Sequence, residues 1–341
     1  MPRIPILAII AALALPALGA APTAAPPQAS PQDTTAYQHL LDAANAVVGV
    51  KVKALPNARS LQTLGSERTG AGVMIAPGGV VVTIGYLILE ADQVEITTAQ
   101  GRTVPAGVVA YDHATGFGLV RPLVPLDVKP IRLGSSSRVE QLDRVMSAGG
   151  GGESNVEVTT VVSRRKFAGY WEYLIDGAIF TSPPRADHSG AALINKEGEL
   201  VGIGSLFVMD AGTPGERLPG NMFVPIDLLK PILDEMVATG RQKGAARPWL
   251  GLNSMEDEGR LKVMRVSAEG PAAGAGIKTG DLILQVGGEK VASLEDFYRL
   301  LWGAGKPGVE VVLKVLQGSE VRDLKVHSID RFEYSRKKPT I

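Results

Sequence analysis

The chain has 341 residues, of which 45% are hydrophobic and 21% charged, and its 35 basic and 35 acidic side chains cancel. This composition supports packed cores in about two domains and excludes wholesale disorder, and a net charge of zero gives no electrostatic basis for binding nucleic acid. With no Cys and only four His, the chain cannot form disulfides, use a thiolate or hold a metal through Cys.

The first twenty residues predict a secretory signal peptide. Arg3 supplies a positive charge, residues 4–17 are almost wholly apolar, and small residues at 19–21 offer a cleavage site. The apolar run is shorter than the ~20 residues of a spanning helix and contains Pro5 and Pro16. We therefore expect cleavage of residues 1–20 and export, with an uncleaved membrane anchor as the alternative. Residues 21–34 are rich in Pro and Ala and predict a flexible tether.

A domain of short strands follows an initial helix. Helical spacing in residues 35–48 places Tyr37, Leu40 and Leu41 on one side. The period then shortens into β-rich runs divided by Gly and Pro, which favours a barrel or sandwich over alternating strands and helices. The runs cover residues 47–52, 72–75, 80–83, 94–97, 104–111, 117–120, 144–148 and 156–162, followed by a hairpin of 191–195 with 200–208.

The pattern also predicts where the first domain ends. Residues 226–239 have helical spacing and stop at Gly240, a residue that often ends helices. We expect a first domain over residues 35–240, a polar hinge over 241–247, a second domain over 248–331 and a tail over 332–341.

The strongest motif lies in the second domain, within residues 266–291. A turn at Gly280-Asp281 leads into the apolar strand Leu282–Val286, and residues 293–302 predict an amphipathic helix with Ser293 as its N-cap. This segment resembles the PDZ domain of bacterial secreted proteases, an α+β fold.

The PDZ resemblance implies a peptide-binding site. In such domains an extended peptide pairs with a strand beside the helix, and its terminal carboxylate is held by backbone N–H groups of a preceding loop. By position, that loop covers residues 247–252. Pro248 stands where a Gly is usual and removes one N–H group, which Arg247 could partly replace. A PDZ fold used only for packing is the alternative. The resemblance implies these peptide-binding residues: Arg247, Trp249, Leu250, Gly251, Leu252, Phe297 and Leu301.

The first domain is similar to the trypsin-like domain of the HtrA/DegP family. The runs at 46–52, 70–83 and 187–195 follow the family's pattern. The resemblance implies a mainly β fold, a trypsin-like double β-barrel followed by the PDZ domain. It also places Ser189 at the position of the nucleophile.

In that family the serine works with a His and an Asp as a catalytic triad, and this chain has neither residue at the corresponding positions. A hydroxyl attacks an amide only when a base takes its proton, and a carboxylate normally orients that base. Tyr86 replaces the family's His, and a phenol with an ordinary pKa near 10 is a very poor proton acceptor at neutral pH. Gly116 replaces the family's Asp and carries no side chain.

The neighbouring residues do not clearly replace the missing base or stabilise an oxyanion. Asp187 stands where the family has Gly, so a negative charge lies beside a developing oxyanion and opposes its stabilisation. His188 should point away from the Ser189 hydroxyl, because neighbours in an extended chain face opposite sides. His113, three residues from Gly116, is the remaining candidate base. No pattern nominates a lysine. The aromatic residues Tyr170, Trp171 and Tyr173 favour a core or a subunit contact over a ligand cage.

Three functions remain open. The leading hypothesis is an exported, periplasmic HtrA-like pseudoprotease that binds extended or C-terminal segments of unfolded proteins, as a chaperone-like protein or a regulator of an active relative. The alternatives are a weak or conditionally active serine endopeptidase that uses Ser189 with a non-standard base, and a structural envelope protein whose PDZ groove is closed. The resemblance also implies a homotrimer, with the helix around Tyr37 as the contact. No motif calls for a cofactor or a metal.

Overall fold

The computed structural model describes residues 37–76, 79–150, 155–242, 244 and 246–335. The predicted signal peptide and tether lie outside these residues. The described chain divides into two units: residues 37–112, 116–165 and 177–241 form the first, and residues 113–115, 166–176 and 242–335 form the second. The division differs from the predicted one, which placed 113–115 and 166–176 in the first domain. The reason is packing, because Leu174 belongs to the hydrophobic core of the second unit.

The first unit begins with a closed barrel in the order β1-β2-β3-β6-β5-β4. In β1 the valines Val50 and Val52 are buried and the lysines Lys51 and Lys53 are exposed, as the period of a strand with one face on a core requires. The barrel consists of β1 (Val47–Ala54), β2 (Glu67–Ala76), β3 (Val80–Ile84), β4 (Ala91–Thr97), β5 (Thr103–Tyr111) and β6 (Phe117–Pro122).

The second half of this unit is a seven-stranded sheet in the order β11-β8-β9-β10-β13-β12-β7. An additional pairing of β11 with β12 closes it on itself, which confirms the expected double barrel. Its core contains Val161, Ile179, Leu193 and Phe223. The strands are β7 (Arg132–Leu133), β8 (Arg144–Ala148), β9 (Val156–Gly169), β10 (Tyr173–Ser182), β11 (Ala192–Ile194), β12 (Glu199–Val208) and β13 (Gly220–Pro225).

The first unit also contains short helices between its strands. They are α1 (Gln38–Asn45), α2 (Leu61–Leu64), α3 (Gly85–Ile88), α4 (Leu233–Thr239) and the 3₁₀ turns Ser136–Arg138 and Ile226–Leu228. The prediction of one helix over 226–239 was wrong in its middle. Pro231 lacks an N–H group and disfavours helical angles in the residue before it, so the segment is a 3₁₀ turn followed by α4. Gly240 ends α4 in the left-handed conformation, as predicted.

The second unit is built on a sheet in the order β15-β16-β17-β19-β20, with β18 beside β17 and a separate β14–β21 pair. The side chain of Ser293 caps the long helix α6 by accepting the N–H of Asp296, as predicted. Within the described part of the chain, no helix is long and apolar enough to cross a membrane. The elements are β14 (Pro248–Trp249), β15 (Leu252–Asp257), β16 (Arg260–Val266), α5 (Pro271–Gly274), β17 (Leu282–Val286), β18 (Glu289–Lys290), α6 (Leu294–Gly303), β19 (Glu310–Gln317), β20 (Glu320–His327), β21 (Ile329–Asp330) and α7 (Arg331–Ser335).

Candidate functional site

Ser189 lies in the turn that leads into β11, and the backbone around it is held from two sides. Its carbonyl accepts the N–H of Ala71 on β2 at 2.8 Å, and the next residue, Gly190, donates its N–H to the carbonyl of Gly204 on β12 at 2.8 Å. The hydroxyl at position 189 is therefore fixed between the two barrels of the first unit.

Tyr86, in the short helix α3 that follows β3, reaches this hydroxyl directly. Its phenolic oxygen lies 2.7 Å from the Ser189 Oγ and 2.7 Å from the carbonyl oxygen of Ser205. A carbonyl oxygen only accepts, and a phenol has one hydrogen to donate. The hydrogen-bond count is satisfied when Tyr86 donates to Ser205 and the Ser189 hydroxyl donates to Tyr86.

The phenol is a poor base in this setting. Burial raises the pKa of Tyr86 to about 12, against the lowering effect of its hydrogen bond with Ser189. At neutral pH the phenol keeps its own proton and cannot take a second one from Ser189. The contact orients the serine hydroxyl without activating it.

Gly116 stands beside α3 but offers only backbone. Its carbonyl accepts the N–H of Gly85 at 2.7 Å, and its own N–H bonds the carbonyl of Asp112 at 2.8 Å. Its φ of +80° lies in the left-handed region that favours glycine. All three triad positions therefore meet in the structure, and one of the three carries the side chain that hydrolysis uses.

The two candidate histidines stand elsewhere. Across the described residues, the Ser189 Oγ has Tyr86 as its hydrogen-bond partner. The Nδ1 of His188 pairs with the carbonyl of Ala186 at 3.1 Å, and burial lowers the pKa of its imidazole. His113 belongs to the second unit, where burial lowers its pKa well below the ordinary value.

The acidic residue of the turn, Asp187, is ionised and anchored. Partial burial acts to raise its pKa, but the charge of Arg185 and a hydrogen bond from Asn155 outweigh that effect and hold the pKa below its ordinary value. The Arg185 side chain is 1% exposed and contacts Asp187 at 2.9 Å. The negative charge of Asp187, two residues before Ser189, is therefore paired with a buried guanidinium.

The predicted carboxylate-binding loop of the second unit holds a carboxylate. The N–H groups of Leu250, Gly251 and Leu252 point at the side chain of Glu172, with nitrogen–oxygen distances of 3.2, 2.8 and 2.9 Å. Gly251 has a φ of +83°, which lets consecutive N–H groups face one point. Glu172 is 5% exposed.

The other predicted peptide-binding residues lie around this loop. Phe297 and Leu301 of α6 are fully buried in the core of the second unit. Arg247 stacks on the ring of Trp302 at 4.1 Å, and the ring of Trp249 lies 4.5 Å from that of Tyr334.

Sequence reasoning missed Glu172. It singled out the neighbouring aromatic residues Tyr170, Trp171 and Tyr173 but passed over the carboxylate among them. The available signal was a lone acidic residue in an aromatic run, because a charge buried among rings needs hydrogen-bond donors. Among the residues that the structure describes, no group of three or more His, Asp or Glu side chains is arranged to hold a metal ion.

Comparisons with known proteins agree with this architecture. Residues 70–203 match the model of the trypsin-like peptidase domain, and residues 248–327 match that of the PDZ domain. Serine endoprotease DegS of Escherichia coli (strain K12) is 27% identical over an alignment of 348 residues with its gaps included, and the alignment covers 94% of each chain.

Two further comparisons differ in coverage. A probable periplasmic serine endoprotease DegP-like of Pseudomonas fulva (strain 12-X) is 25% identical over 278 residues, which cover 76% of this chain and 56% of the relative. The chain thus spans little more than half the length of that relative. The solved structure of HtrA-type protease AlgW with decapeptide superposes with a TM-score of 0.52 at 20% identity, covering 86% of this chain and 98% of that one.

The fold and the comparisons define a trypsin-like serine-protease domain followed by a PDZ domain. In the order of its two domains the chain is similar to serine endoprotease DegS and to the HtrA-type proteases named above.

Proposed function

We propose that this chain is an exported HtrA-type pseudoprotease of the bacterial envelope that binds extended or C-terminal peptide segments and does not cut them. The observation that carries the proposal is the pair formed by Ser189 and Tyr86. The Ser189 hydroxyl donates its hydrogen bond to the Tyr86 phenol, and the phenol donates its own to the carbonyl of Ser205. The phenol stays protonated at neutral pH, so it cannot act as a base.

The loss of the base removes most of the catalytic power. A serine protease without its His loses about 10⁶ in turnover, and the residual effect of an oxyanion site is only ~10³–10⁴ over water. Measurable hydrolysis of amides is not expected.

The second unit supports the binding role. Its loop directs the N–H groups of residues 250–252 at one carboxylate oxygen, that of Glu172, beside β15 and the helix α6. This is the arrangement that recognises a chain terminus in peptide-binding domains of this fold. AlgW, a protein of similar fold, is described with a decapeptide.

The envelope location rests on the predicted signal peptide and on a relative described as periplasmic. The homotrimer and an active protease as partner remain predictions, and the helix α1 near Tyr37 is the surface to test for subunit contact.

A fluorophosphonate probe tests the catalytic half of the proposal, because it labels activated serines. We expect no labelling of the full chain above that of Ser189→Ala, and no loss of reduced, unfolded casein over prolonged incubation. Labelling or casein cleavage that disappears in Ser189→Ala would establish the alternative, a weak or conditionally active serine endopeptidase.

A further inference from the structure

Residues 169–172 lie between β15 and α6 of the second unit, the space in which a PDZ ligand is expected. The Tyr170 carbonyl accepts the N–H of Ser254 on β15 at 2.9 Å. From the other side, the hydroxyl of Tyr298 on α6 donates to the carbonyl of Gly169 at 2.5 Å and accepts the N–H of Glu172 at 3.1 Å. The segment is therefore bonded to both walls of the groove.

The direction of the segment is also that of a bound peptide. Tyr170 is opposite Ser254, and Glu172 is opposite Leu252, so the segment and β15 run antiparallel. The chain approaches the carboxylate-binding loop along the groove and ends its run there with a carboxylate. In Glu172 that carboxylate belongs to a side chain in place of a chain terminus.

The backbone is shaped to deliver this side chain. Glu172 has a φ of +58°, a conformation that costs a non-glycine residue energy and persists only where the surroundings enforce it. Arg331 donates to the carbonyl of Trp171 at 3.0 Å and so holds the turn from α7. Gly169 lies so close to Trp171 that a Cβ there would be 2.8 Å from its ring.

We propose that residues 169–172 act as an internal ligand of the PDZ domain, with Glu172 as a mimic of a C-terminal carboxylate that closes the groove until the segment is displaced. The inference deepens the proposed function and rests on it for the identity of the displacing partner, an extended peptide with a free terminal carboxylate. Burial raises the pKa of Glu172 to about 7 despite the three N–H donors and the charge of Arg331, so the carboxylate is held in an unfavourable environment.

Hydrogen exchange of the full chain tests the internal ligand without any peptide. The amides of residues 250–252 should be protected in the natural protein and in Glu289→Gln, a control at an exposed acidic position of the same unit. They should exchange at least about tenfold faster in Glu172→Ala. Equal protection in Glu172→Ala would overturn the proposal.

Peptide binding tests the mimicry. The probe is a fluorescein-labelled pool of hexapeptides with randomised residues and a C-terminal Val, prepared with a free carboxylate and as the C-terminal amide. Glu172→Ala should bind the carboxylate pool at least about tenfold more tightly than the natural protein. In the natural protein only the fraction of molecules whose groove is not filled by residues 169–172 can bind peptide, and the apparent affinity is reduced by that fraction. The amide pool should show no such gain.

A second variant guards against misfolding of Glu172→Ala. Tyr298→Phe removes the hydroxyl that holds Gly169 and Glu172 but leaves the loop and the carboxylate intact. It should also raise affinity for the carboxylate pool. Measurable and equal affinity in the natural protein and both variants, with folding confirmed by circular dichroism, would overturn the mimicry. Failure of every variant to bind either pool, with faster exchange in Glu172→Ala, would support the internal ligand and reject the proposed peptide-binding function.

Discussion

The phenolic oxygen of Tyr86 lies 2.7 Å from the Oγ of Ser189, and the same oxygen is 2.7 Å from the carbonyl of Ser205 on β12. The Tyr86 side chain, at the position of a catalytic base, thus ties α3 to β12. Tyr86, Ser189 and Ser205 form a hydrogen-bonded junction within the first unit.

These hydrogen bonds predict that replacing Tyr86 destabilises the protein more than replacing Ser189. Tyr86→Phe leaves the buried carbonyl of Ser205 and the Ser189 hydroxyl without their partner, so we expect a loss of about 1–3 kcal/mol in the free energy of unfolding. Ser189→Ala should cost less than about 1 kcal/mol, because Tyr86 still donates to Ser205. Urea unfolding followed by circular dichroism measures both. The reverse order would contradict the assigned hydrogen-bond directions.

Restoring the histidine alone should not restore hydrolysis. In Tyr86→His the imidazole has no carboxylate to orient it, since position 116 lacks a side chain, so we expect no casein cleavage above that of Ser189→Ala. The double variant Tyr86→His with Gly116→Asp supplies the missing groups. Full protease activity in the single variant would contradict the role given to Gly116.

The double variant carries a backbone penalty. Gly116 has a φ of +80°, and an L-residue in the left-handed region costs roughly 1–2 kcal/mol. Gly116→Ala separates this strain from the added charge and should destabilise the first unit by a similar amount. A neutral effect of Gly116→Ala in urea unfolding would remove the steric barrier to rebuilding the triad.

The raised pKa of Glu172 predicts a pH dependence of the second unit. The carboxyl has a pKa of about 7 when folded, against an ordinary value of 4.5. Below pH 4.5 it is protonated in both states. As the pH rises through 7, the unfolded state releases the proton first, so the stability present in acid is lost. The charged and titratable groups that face it are Arg331 of α7 and Tyr298 of α6, and burial raises the pKa of the Tyr298 phenol above its ordinary value.

Tryptophan fluorescence gives a selective measurement of this effect, because Trp171, Trp249 and Trp302 all lie in the second unit. Relative to Glu172→Gln, the natural protein should lose on the order of 2–3 kcal/mol of unfolding free energy between pH 4.5 and 8. Glu289→Gln should follow the natural protein. Parallel curves for the natural protein and Glu172→Gln would contradict the raised pKa.

We expect Arg185 to stabilise the turn of residues 187–190, which contains Ser189. Its guanidinium bonds Asp187, the Oγ of Ser147 at 3.1 Å and the Oδ1 of Asn155 at 2.7 Å. Arg185→Met should destabilise the first unit by about 1–3 kcal/mol, less than for a fully buried ion pair because Asp187 is half-exposed. Arg185→Lys should recover part of this, since an ammonium cannot reproduce the planar fork. If Asp187→Asn costs as much as Arg185→Met in urea unfolding, the ion pair alone holds the turn.

Local sequence patterns account for much of the fold. The alternation of Val50 and Val52 with Lys51 and Lys53 predicts a half-buried strand, and the structure has β1 there. The pattern fails for β10, a strand that sequence reasoning omitted. Asp176 and Gly177 interrupt its apolar run, and both residue types are unfavourable in strands, so pairing with neighbouring strands decides its structure.

The candidate sites show the same limit. The positions of Ser189, Tyr86 and Gly116 follow from short motifs, because each motif is local. The bond between Tyr86 and Ser189 joins residues 103 apart, and the bonds of Glu172 reach 78 to 80 residues along the chain. No local pattern encodes such pairs. They follow from tertiary folding alone.

In the proposed arrangement Glu172 is covalently attached to the domain whose groove it fills, and this attachment determines how well free C-termini compete with it. A tethered group acts as if present at a local concentration on the order of millimolar, whatever the amount of protein. A scarce or weakly matched chain end therefore fails to enter, while a large excess of free C-termini succeeds. The midpoint of the binding curve for free chain ends would then shift to higher concentration, with no change in the shape of the curve.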